Sequence, residues 1–144
     1  MPTVDRLARD PRVKLVQLFG PEHGIRGAVK AGDKVADEVD PVTRLPVESL
    51  YGSTKRPSAA ALARIDVLLF DIQDVGSRTY TYVSTMGEAM IAAAEAGKPM
   101  IVLDRPNPLG GELVEGPIRE EQWKSFISWG PICLLYTSDA ADEL

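Results

Sequence analysis

Residues 66–72 read Asp-Val-Leu-Leu-Phe-Asp-Ile, a short apolar run that predicts a central β-strand. Its hydrophobic side chains fall on both faces, which is typical of a parallel strand covered on both sides. Residues 13–19 and 99–104 form two similar runs, and the Ala-rich residues 85–96 predict a helix. Strands that alternate with helices indicate right-handed βαβ units, so we predict an α/β fold with a parallel sheet.

Local signals place the helices. A short helix is expected over residues 4–8, before Asp10-Pro11, and Lys-Arg-Pro-Ser at residues 55–58 is typical of a helix start. The helix over residues 85–96 ends at Gly97, a residue type that favours the C-cap. One side of this helix is expected to pack in the core and carries Met86, Met90 and Ala93.

Two segments have weaker patterns. Residues 46–51 predict a short strand at the edge of the sheet. Residues 22–45 are rich in Gly and charge and show no clear periodicity, so they predict a long loop. Loops of that length inside compact domains are uncommon and usually functional or mobile.

Composition narrows the function classes. The chain has 144 residues, with 16 Lys+Arg against 21 Asp+Glu and a formal net charge of −5. Its length suits about one domain, and its acidic balance argues against nucleic acid as a partner, because phosphate binding needs clustered basic residues. The single cysteine, Cys133, excludes an internal disulfide. No apolar run approaches the roughly 20 residues that span a bilayer.

Polar residues follow each of the three predicted strands. Glu22 and His23 come after the first, residues 71–78 belong to the end of the second, and residues 104–107 to the end of the third. In open α/β sheets, ligands bind outside the carboxyl ends of the strands. The sequence therefore predicts a ligand site at this edge of the sheet.

The first of these segments supplies a candidate acid or base. Glu22 and His23 lie between Gly20 and Gly24, where the backbone can turn sharply and approach a ligand closely. A carboxyl group there can transfer protons if apolar surroundings raise its pKa. Glu22 can equally make a structural contact, and His23 can be an exposed loop residue.

The second segment combines acids, an amide and an arginine. Asp71 and Gln73 share one face of the strand, and for Asp71 a structural role in bonding the loop backbone is favoured. The planar guanidinium of Arg78 can bind a carboxylate through paired hydrogen bonds. The rings of Tyr80 and Tyr82 can pack against a sugar or another apolar face.

The third segment and a later acid complete the candidates. Prolines at 106 and 108 restrict the backbone of the loop that follows the third predicted strand, here called the exit loop. They hold Asp104, Arg105 and Asn107 in a defined conformation. Glu115 is another candidate carboxylate, and two carboxyl groups from separate loops are what glycoside hydrolysis usually needs. The chain has no GxGxxG or GxxxxGK[ST] motif for nucleotides, and its one histidine gives no metal-ligand pattern, so we expect no cofactor and no metal.

Together these motifs carry a family resemblance. The segments are residues 18–27 (Leu-Phe-Gly-Pro-Glu-His-Gly-Ile-Arg-Gly), 46–57, 71–82 (Asp-Ile-Gln-Asp-Val-Gly-Ser-Arg-Thr-Tyr-Thr-Tyr), 102–111 (Val-Leu-Asp-Arg-Pro-Asn-Pro-Leu-Gly-Gly) and 114–117 (Val-Glu-Gly-Pro). In this order they resemble the bacterial exo-β-N-acetylmuramidases of the NamZ type, over residues 3–132.

The resemblance implies a Rossmann-like catalytic domain over residues 1–132, with a smaller C-terminal domain beyond it and the active site in the cleft between them. It implies hydrolytic release of N-acetylmuramic acid from the non-reducing ends of peptidoglycan fragments, without a cofactor, and export from the cytoplasm. The alternative is a non-catalytic α/β module that binds cell-wall sugars, since one scaffold hosts many functions.

The resemblance also implies site residues. The family's catalytic glutamate matches Glu22. We expect His23 to assist it and Glu115 or Asp74 to be the second carboxyl group. Arg78 or Arg105 is expected to pair with the lactyl carboxylate of muramic acid. The acetamido group of the substrate can instead act as an internal nucleophile. The substrate-binding residues expected are Arg26, Asp71, Gln73, Arg78, Tyr80, Tyr82, Asp104, Arg105 and Asn107.

The chain departs from the family at both ends. Residues 133–144, Cys-Leu-Leu-Tyr-Thr-Ser-Asp-Ala-Ala-Asp-Glu-Leu, resemble the translation of a sequencing-library adapter, so we expect a non-native tail. Family members also carry an earlier strand before Thr3 and a second domain after Ile132. We therefore expect a fragment that is inactive by itself and of low stability, because central strands would lose their neighbours.

Overall fold

The computed structural model describes residues 1–77, 79–110 and 118–130. Their contacts group into two compact units. The first unit is Met1–Leu68 with Glu88–Ile101, and the second is Leu69–Gly87 with the described part of Val102–Leu144. The regular elements, in chain order, are α1 (Thr3–Leu7), β1 (Leu18–Gly20), β2 (Glu38–Val39), β3 (Pro46–Ser49), α2 (Ala59–Leu62), β4 (Leu68–Phe70), α3 (Tyr82–Glu95), β5 (Met100–Val102) and a 3₁₀ turn (Glu121–Trp123).

The first unit contains a three-stranded sheet in the order β1-β3-β2. β1 runs parallel to β3, with Leu18 opposite Val47 and Gly20 opposite Ser49. β2 pairs with the other side of β3 in the antiparallel direction. Leu18 and Val47 are buried, so the parallel pair supplies the covered part of this sheet.

β4 and β5 form a separate two-stranded sheet. The Leu68 N–H donates to the Pro99 carbonyl and the Leu103 N–H to the Phe70 carbonyl, at 2.9 and 2.8 Å. Bonds that alternate in this way between the partners are the parallel pattern. The mixed α/β class expected from the sequence is therefore confirmed.

Helices α2 and α3 build the core of the first unit. Ser58 caps α2 by accepting the Ala61 N–H at 3.1 Å. Gly97, with φ 64°, ends α3, and the Lys98 N–H reaches back to the Ala93 carbonyl, as in a Schellman cap. Both predicted helix ends are confirmed. The core cluster is Leu62, Ile65, Leu68, Ala89, Ala92 and Ala93, with Val16, Phe19 and Met100 packed against it.

Several expectations need correction. Residues 46–51 do not form an edge strand, because β2 arises within the 22–45 segment and covers the other side of β3. Of residues 13–19, only Leu18 and Phe19 pair with β3, because β3 begins at Pro46 and the register places Leu18 opposite Val47. Val13 is 42% exposed. The predicted Met86 and Met90 core stripe is wrong at Met90, which is 44% exposed, because the alanine face of α3 turns inward. Burial on both faces is also wrong for residues 66–72, where Val67 is exposed.

The second unit has a close helix contact at Gly87. A Cβ added at Gly87 in α3 would lie 2.5 to 2.8 Å from three atoms of the Trp129 ring. Real Cβ atoms essentially never approach other atoms this closely. The absence of a side chain at Gly87 is therefore what lets the Trp129 ring lie on this helix.

We expect Gly87→Ala to displace the Trp129 ring and to lower stability, although alanine is favoured over glycine in helices by about 1 kcal/mol. In a Trp123→Phe background, which leaves Trp129 as the only tryptophan, the emission maximum should shift to longer wavelength. When Trp129→Ala is added, the effect of Gly87→Ala on the free energy of unfolding should change sign, so that alanine at position 87 becomes stabilising. An unchanged emission maximum would contradict the contact.

Candidate functional site

The parallel register of the first sheet places two side chains together at its carboxyl edge. Gly20 ends β1 opposite Ser49, the last residue of β3. Glu22 and Tyr51 each follow two residues later, so they leave neighbouring strands at the same edge. This is the edge at which open α/β sheets bind ligands.

The Glu22 carboxylate is held by donors from two segments. The Gly32 N–H donates to its Oε1 at 3.0 Å, and the Tyr51 hydroxyl donates to the same side chain. Lys55 lies near enough for its charge to interact with that of Glu22. Two hydrogen-bond donors and a cation therefore lie next to the Glu22 carboxylate.

Tyr51 and Lys55 form a stacked pair next to Glu22. The Lys55 Nζ lies 3.8 Å from the centre of the Tyr51 ring, which is a cation–π contact. Burial raises the pKa of the Tyr51 hydroxyl, and the negative charge and hydrogen bond of Glu22 act in the same direction. Burial lowers the pKa of Lys55, and the charge of Glu22 opposes that shift.

His23 adopts a backbone conformation that few residue types tolerate. Its φ is 71° and that of Gly24 is 72°, so the two residues directly after Glu22 both have left-handed backbone conformations. The His23 Nδ1 lies 2.9 Å from the Val29 carbonyl, and because a carbonyl can only accept, Nδ1 carries the proton. The Val29 N–H returns a bond to the His23 carbonyl at 3.1 Å. His23 thus closes the turn that presents Glu22.

Arg26 is engaged in a buried ion-pair cluster. Its guanidinium donates two bonds of 2.7 Å to Asp40, and it lies 2.8 Å from Asp5. Asp40 is fully buried and also accepts the N–H and hydroxyl of Thr43. These contacts hold the pKa of Asp40 well below its usual range and raise that of Arg26. The contacts found for Arg26 are structural, and its predicted role in substrate binding stays a prediction.

The second unit brings together most residues that follow β4 and β5. Arg105 forms an ion pair with Asp71, and the expected role of Asp71 in bonding the loop backbone stays a prediction. The Gln73 side-chain amide donates to the Asp74 carbonyl at 2.9 Å and to the Pro106 carbonyl at 3.3 Å. These contacts join the loops after β4 and β5.

Asp74 has an unusual electrostatic environment in this second cluster. It is half-buried, and burial raises the pKa of its carboxyl group. The Val75 and Gly76 N–H groups act in the opposite direction, and the charge of Asp104 adds to the rise. A carboxyl group that keeps its proton more readily is suited to act as a general acid.

We expect Asp74→Asn to raise stability at neutral pH. Because the folded-state pKa is raised, the folded chain binds this proton more tightly than the unfolded chain does. The ionised Asp74 therefore costs stability above the unfolded pKa of about 3.9. Urea midpoints at pH 4 and pH 7 should show a gain that grows with pH. The exposed Asp66→Asn serves as control, and a pH-independent effect would contradict the assignment.

The remaining predicted residues are placed as follows. Tyr80 is half-exposed in the turn before α3, and Tyr82 is the first residue of that helix. The Asn107 side chain accepts the Leu109 N–H at 2.9 Å and so shapes the exit loop. Arg78 and Glu115 lie outside the described residues.

The sequence interpretation did not single out Tyr51 and Lys55, the two side chains that interact with Glu22. Both lie in residues 46–57, which carried the family resemblance but no assigned chemistry. The available signal was the strand-end rule, which applies to β3 as it does to β1. Treating residues 46–51 as an edge strand concealed it.

In the described part of the chain, no three His, Cys, Asp or Glu side chains cluster as a metal site would require. None of the helices described there has the length and apolar character needed to cross a membrane.

A family model, a relative of known name and a solved structure are similar to this chain. The family described as "Exo-beta-N-acetylmuramidase NamZ, N-terminal" matches residues 1–140. The chain is 54% identical over 132 residues to the peptidoglycan beta-N-acetylmuramidase NamZ of Bacillus subtilis (strain 168), covering 92% of this chain and 32% of that protein. The crystal structure of a DUF1343 family protein from Bacteroides fragilis NCTC 9343 matches with a TM-score of 0.84 and 51% identity, covering 95% of this chain and 34% of that one. The chain thus spans about a third of the length of these relatives.

Proposed function

The chain belongs to the family of the N-terminal region of the exo-β-N-acetylmuramidase NamZ, and on that premise we propose that it forms the N-terminal part of a glycoside hydrolase. The proposed reaction releases N-acetylmuramic acid from the non-reducing ends of peptidoglycan fragments. The observation that carries the proposal is the 54% identity, over 92% of the chain, to a protein named as a peptidoglycan β-N-acetylmuramidase.

In this proposal Glu22 is the essential carboxylate. Its place at the carboxyl edge of the β1–β3 pair supports the assignment, as do the Gly32 and Tyr51 donors that fix its orientation. Donors that favour the ionised form suit a base, or a carboxylate that stabilises positive charge on the sugar. His23 assists by closing the turn that carries Glu22.

Asp74 is the second carboxyl group of the proposal. Its raised pKa suits the proton donor that glycoside hydrolysis requires at the leaving oxygen. In a substrate-assisted reaction, Asp74 would instead orient the acetamido group of the substrate, and a single enzyme group would transfer the proton. Trapping a covalent glycosyl-enzyme would exclude that second route.

Arg105 is the proposed partner of the lactyl carboxylate, the group that distinguishes muramic acid from glucosamine. Its guanidinium is oriented by Asp71 yet remains 43% exposed, so donors are left for a ligand. The fold proposed for this region is Rossmann-like. The parallel pairing of β1 with β3 and of β4 with β5 supports it, as do α2 and α3, which connect successive strands.

A chimera tests the proposal. The residues that match the Bacillus subtilis relative replace their counterpart in that protein, and the product is assayed on an aryl β-N-acetylmuramide and an aryl β-N-acetylglucosaminide. We expect the chimera to release N-acetylmuramic acid and to prefer the muramide. Lack of release by a folded chimera, under conditions in which the parent relative is active, would overturn the proposal.

A further inference from the structure

Tyr51 is fixed by contacts of its main chain as well as its side chain. Its N–H donates to the Ser49 hydroxyl at 3.1 Å, and its carbonyl accepts the Val35 N–H at 3.2 Å. Ser49 is buried at the end of β3. The hydroxyl of Tyr51 therefore reaches Glu22 from a segment that main-chain hydrogen bonds anchor to the end of β3 and to Val35.

The Tyr51 side chain is also held along its ring. The Lys55 Nζ stands 3.8 Å from the ring centre, and Lys55 belongs to the turn that leads into α2. The attraction between the ammonium group and the ring face holds the ring in place. Lys55 thus acts on Glu22 directly by charge and indirectly through Tyr51.

We propose that Tyr51 and Lys55 are positioning residues for Glu22, an inference that rests on the proposed function. Tyr51 fixes the carboxylate from the β3 side of the sheet edge, and Gly32 supplies a second donor. Lys55 holds the ring that does so. His23, the next residue in the chain after Glu22, directs its Nδ1 to the Val29 carbonyl.

The direct test is the titration of Glu22 in the 144-residue chain, followed by the ¹³C shift of its side-chain carboxyl. Tyr51→Phe removes a donor that favours the ionised form, so the pKa of Glu22 should rise by about one unit. Lys55→Met should move it in the same direction, and Lys55→Arg should restore it. Lys14→Met, which removes the same charge at an exposed position before β1, should leave it unchanged.

The chimera supplies the kinetic readout. Tyr51→Phe should lower kcat about tenfold with little change in KM, and the limb of the pH profile that depends on Glu22 should move to higher pH. Thermal unfolding of each variant checks that the fold is kept. Should a variant fail to fold, the Lys55→Met and Lys55→Arg pair answers the same question.

The outcomes separate the two proposals. If Glu22 titrates alike in wild type and Tyr51→Phe, or if the pH profile does not move, the positioning role is wrong while the hydrolase proposal stands. If the folded wild-type chimera releases no sugar, the hydrolase proposal fails and the positioning role fails with it. A shifted titration together with a shifted profile supports both.

Discussion

Replacing Glu22 with glutamine is expected to lower kcat/KM of the chimera for an aryl β-N-acetylmuramide by about 10²- to 10⁴-fold. A positioned acid or base typically contributes a factor of this size. Glutamine has nearly the same shape, and its carbonyl oxygen can still accept from the Gly32 N–H and the Tyr51 hydroxyl. What is lost is the ability to carry a charge or a proton.

The matched control is Glu38→Gln, which removes one carboxylate from an exposed position in β2 of the same unit. Its kcat/KM should remain at the wild-type value. Full activity in Glu22→Gln would remove Glu22 from the mechanism. If the wild-type chimera binds muramic-acid ligands without turnover, and Glu22→Gln binds them equally well, the chain is a sugar-binding module.

The parts of the fold that depend only on residues close together in the sequence could be predicted. Ser58 before an apolar stripe and Gly97 after one act through bonds within a single turn, and both were predicted correctly. The mixed α/β class follows from apolar runs that alternate with a helical pattern.

Strand pairing could not be predicted in the same way. From their own sequence, residues 46–51 predict a short edge strand. The structure places β3 at the centre of its sheet, because Glu38–Val39 pairs with it from inside the predicted loop. A two-residue strand has no periodicity that a sequence pattern can detect.

In the candidate site, too, the features set by residues close in the sequence could be predicted, and those set by strand pairing could not. The strand-end rule singles out Glu22 and His23, because they directly follow an apolar run, and their roles stay predictions. The partners of Glu22 depend on which strand lies next to β1, so Tyr51 and Lys55 were missed. Arg26 shares a motif with Glu22, and nothing in that motif shows that Asp40 and Asp5 engage its side chain.

Replacing Asp40 with alanine is expected to lower the free energy of unfolding of the chain by about 1–3 kcal/mol, the usual cost of leaving buried donors without their acceptor. Asp40 is fully buried and accepts two bonds from Arg26 and two from Thr43. Without it, Arg26 keeps Asp5 as its acidic partner, and the Thr43 donors lose their acceptor. Urea unfolding followed by far-ultraviolet circular dichroism measures the change.

The pH dependence of this loss separates charge from packing. Arg26 holds the pKa of Asp40 below its usual range, so the pair contributes its full stability above the unfolded pKa of about 3.9 and loses it as pH falls through the folded value. The difference in unfolding free energy between wild type and Asp40→Asn should thus be constant near neutral pH and shrink below about pH 4.

The control is Asp10→Ala, which breaks an ion pair of similar geometry with Arg12 at the surface. Arg12 is 86% exposed, so water screens the pair and its loss should leave the urea midpoint nearly unchanged. Arg26 follows Glu22 by four residues, and its pair with Asp40 ties the segment that carries Glu22 to the loop between β2 and β3. A loss in Asp40→Ala no larger than in Asp10→Ala would mean that this tie does not stabilise the fold. The orientation of Glu22 would then rest on Gly32, Tyr51 and the His23 turn alone.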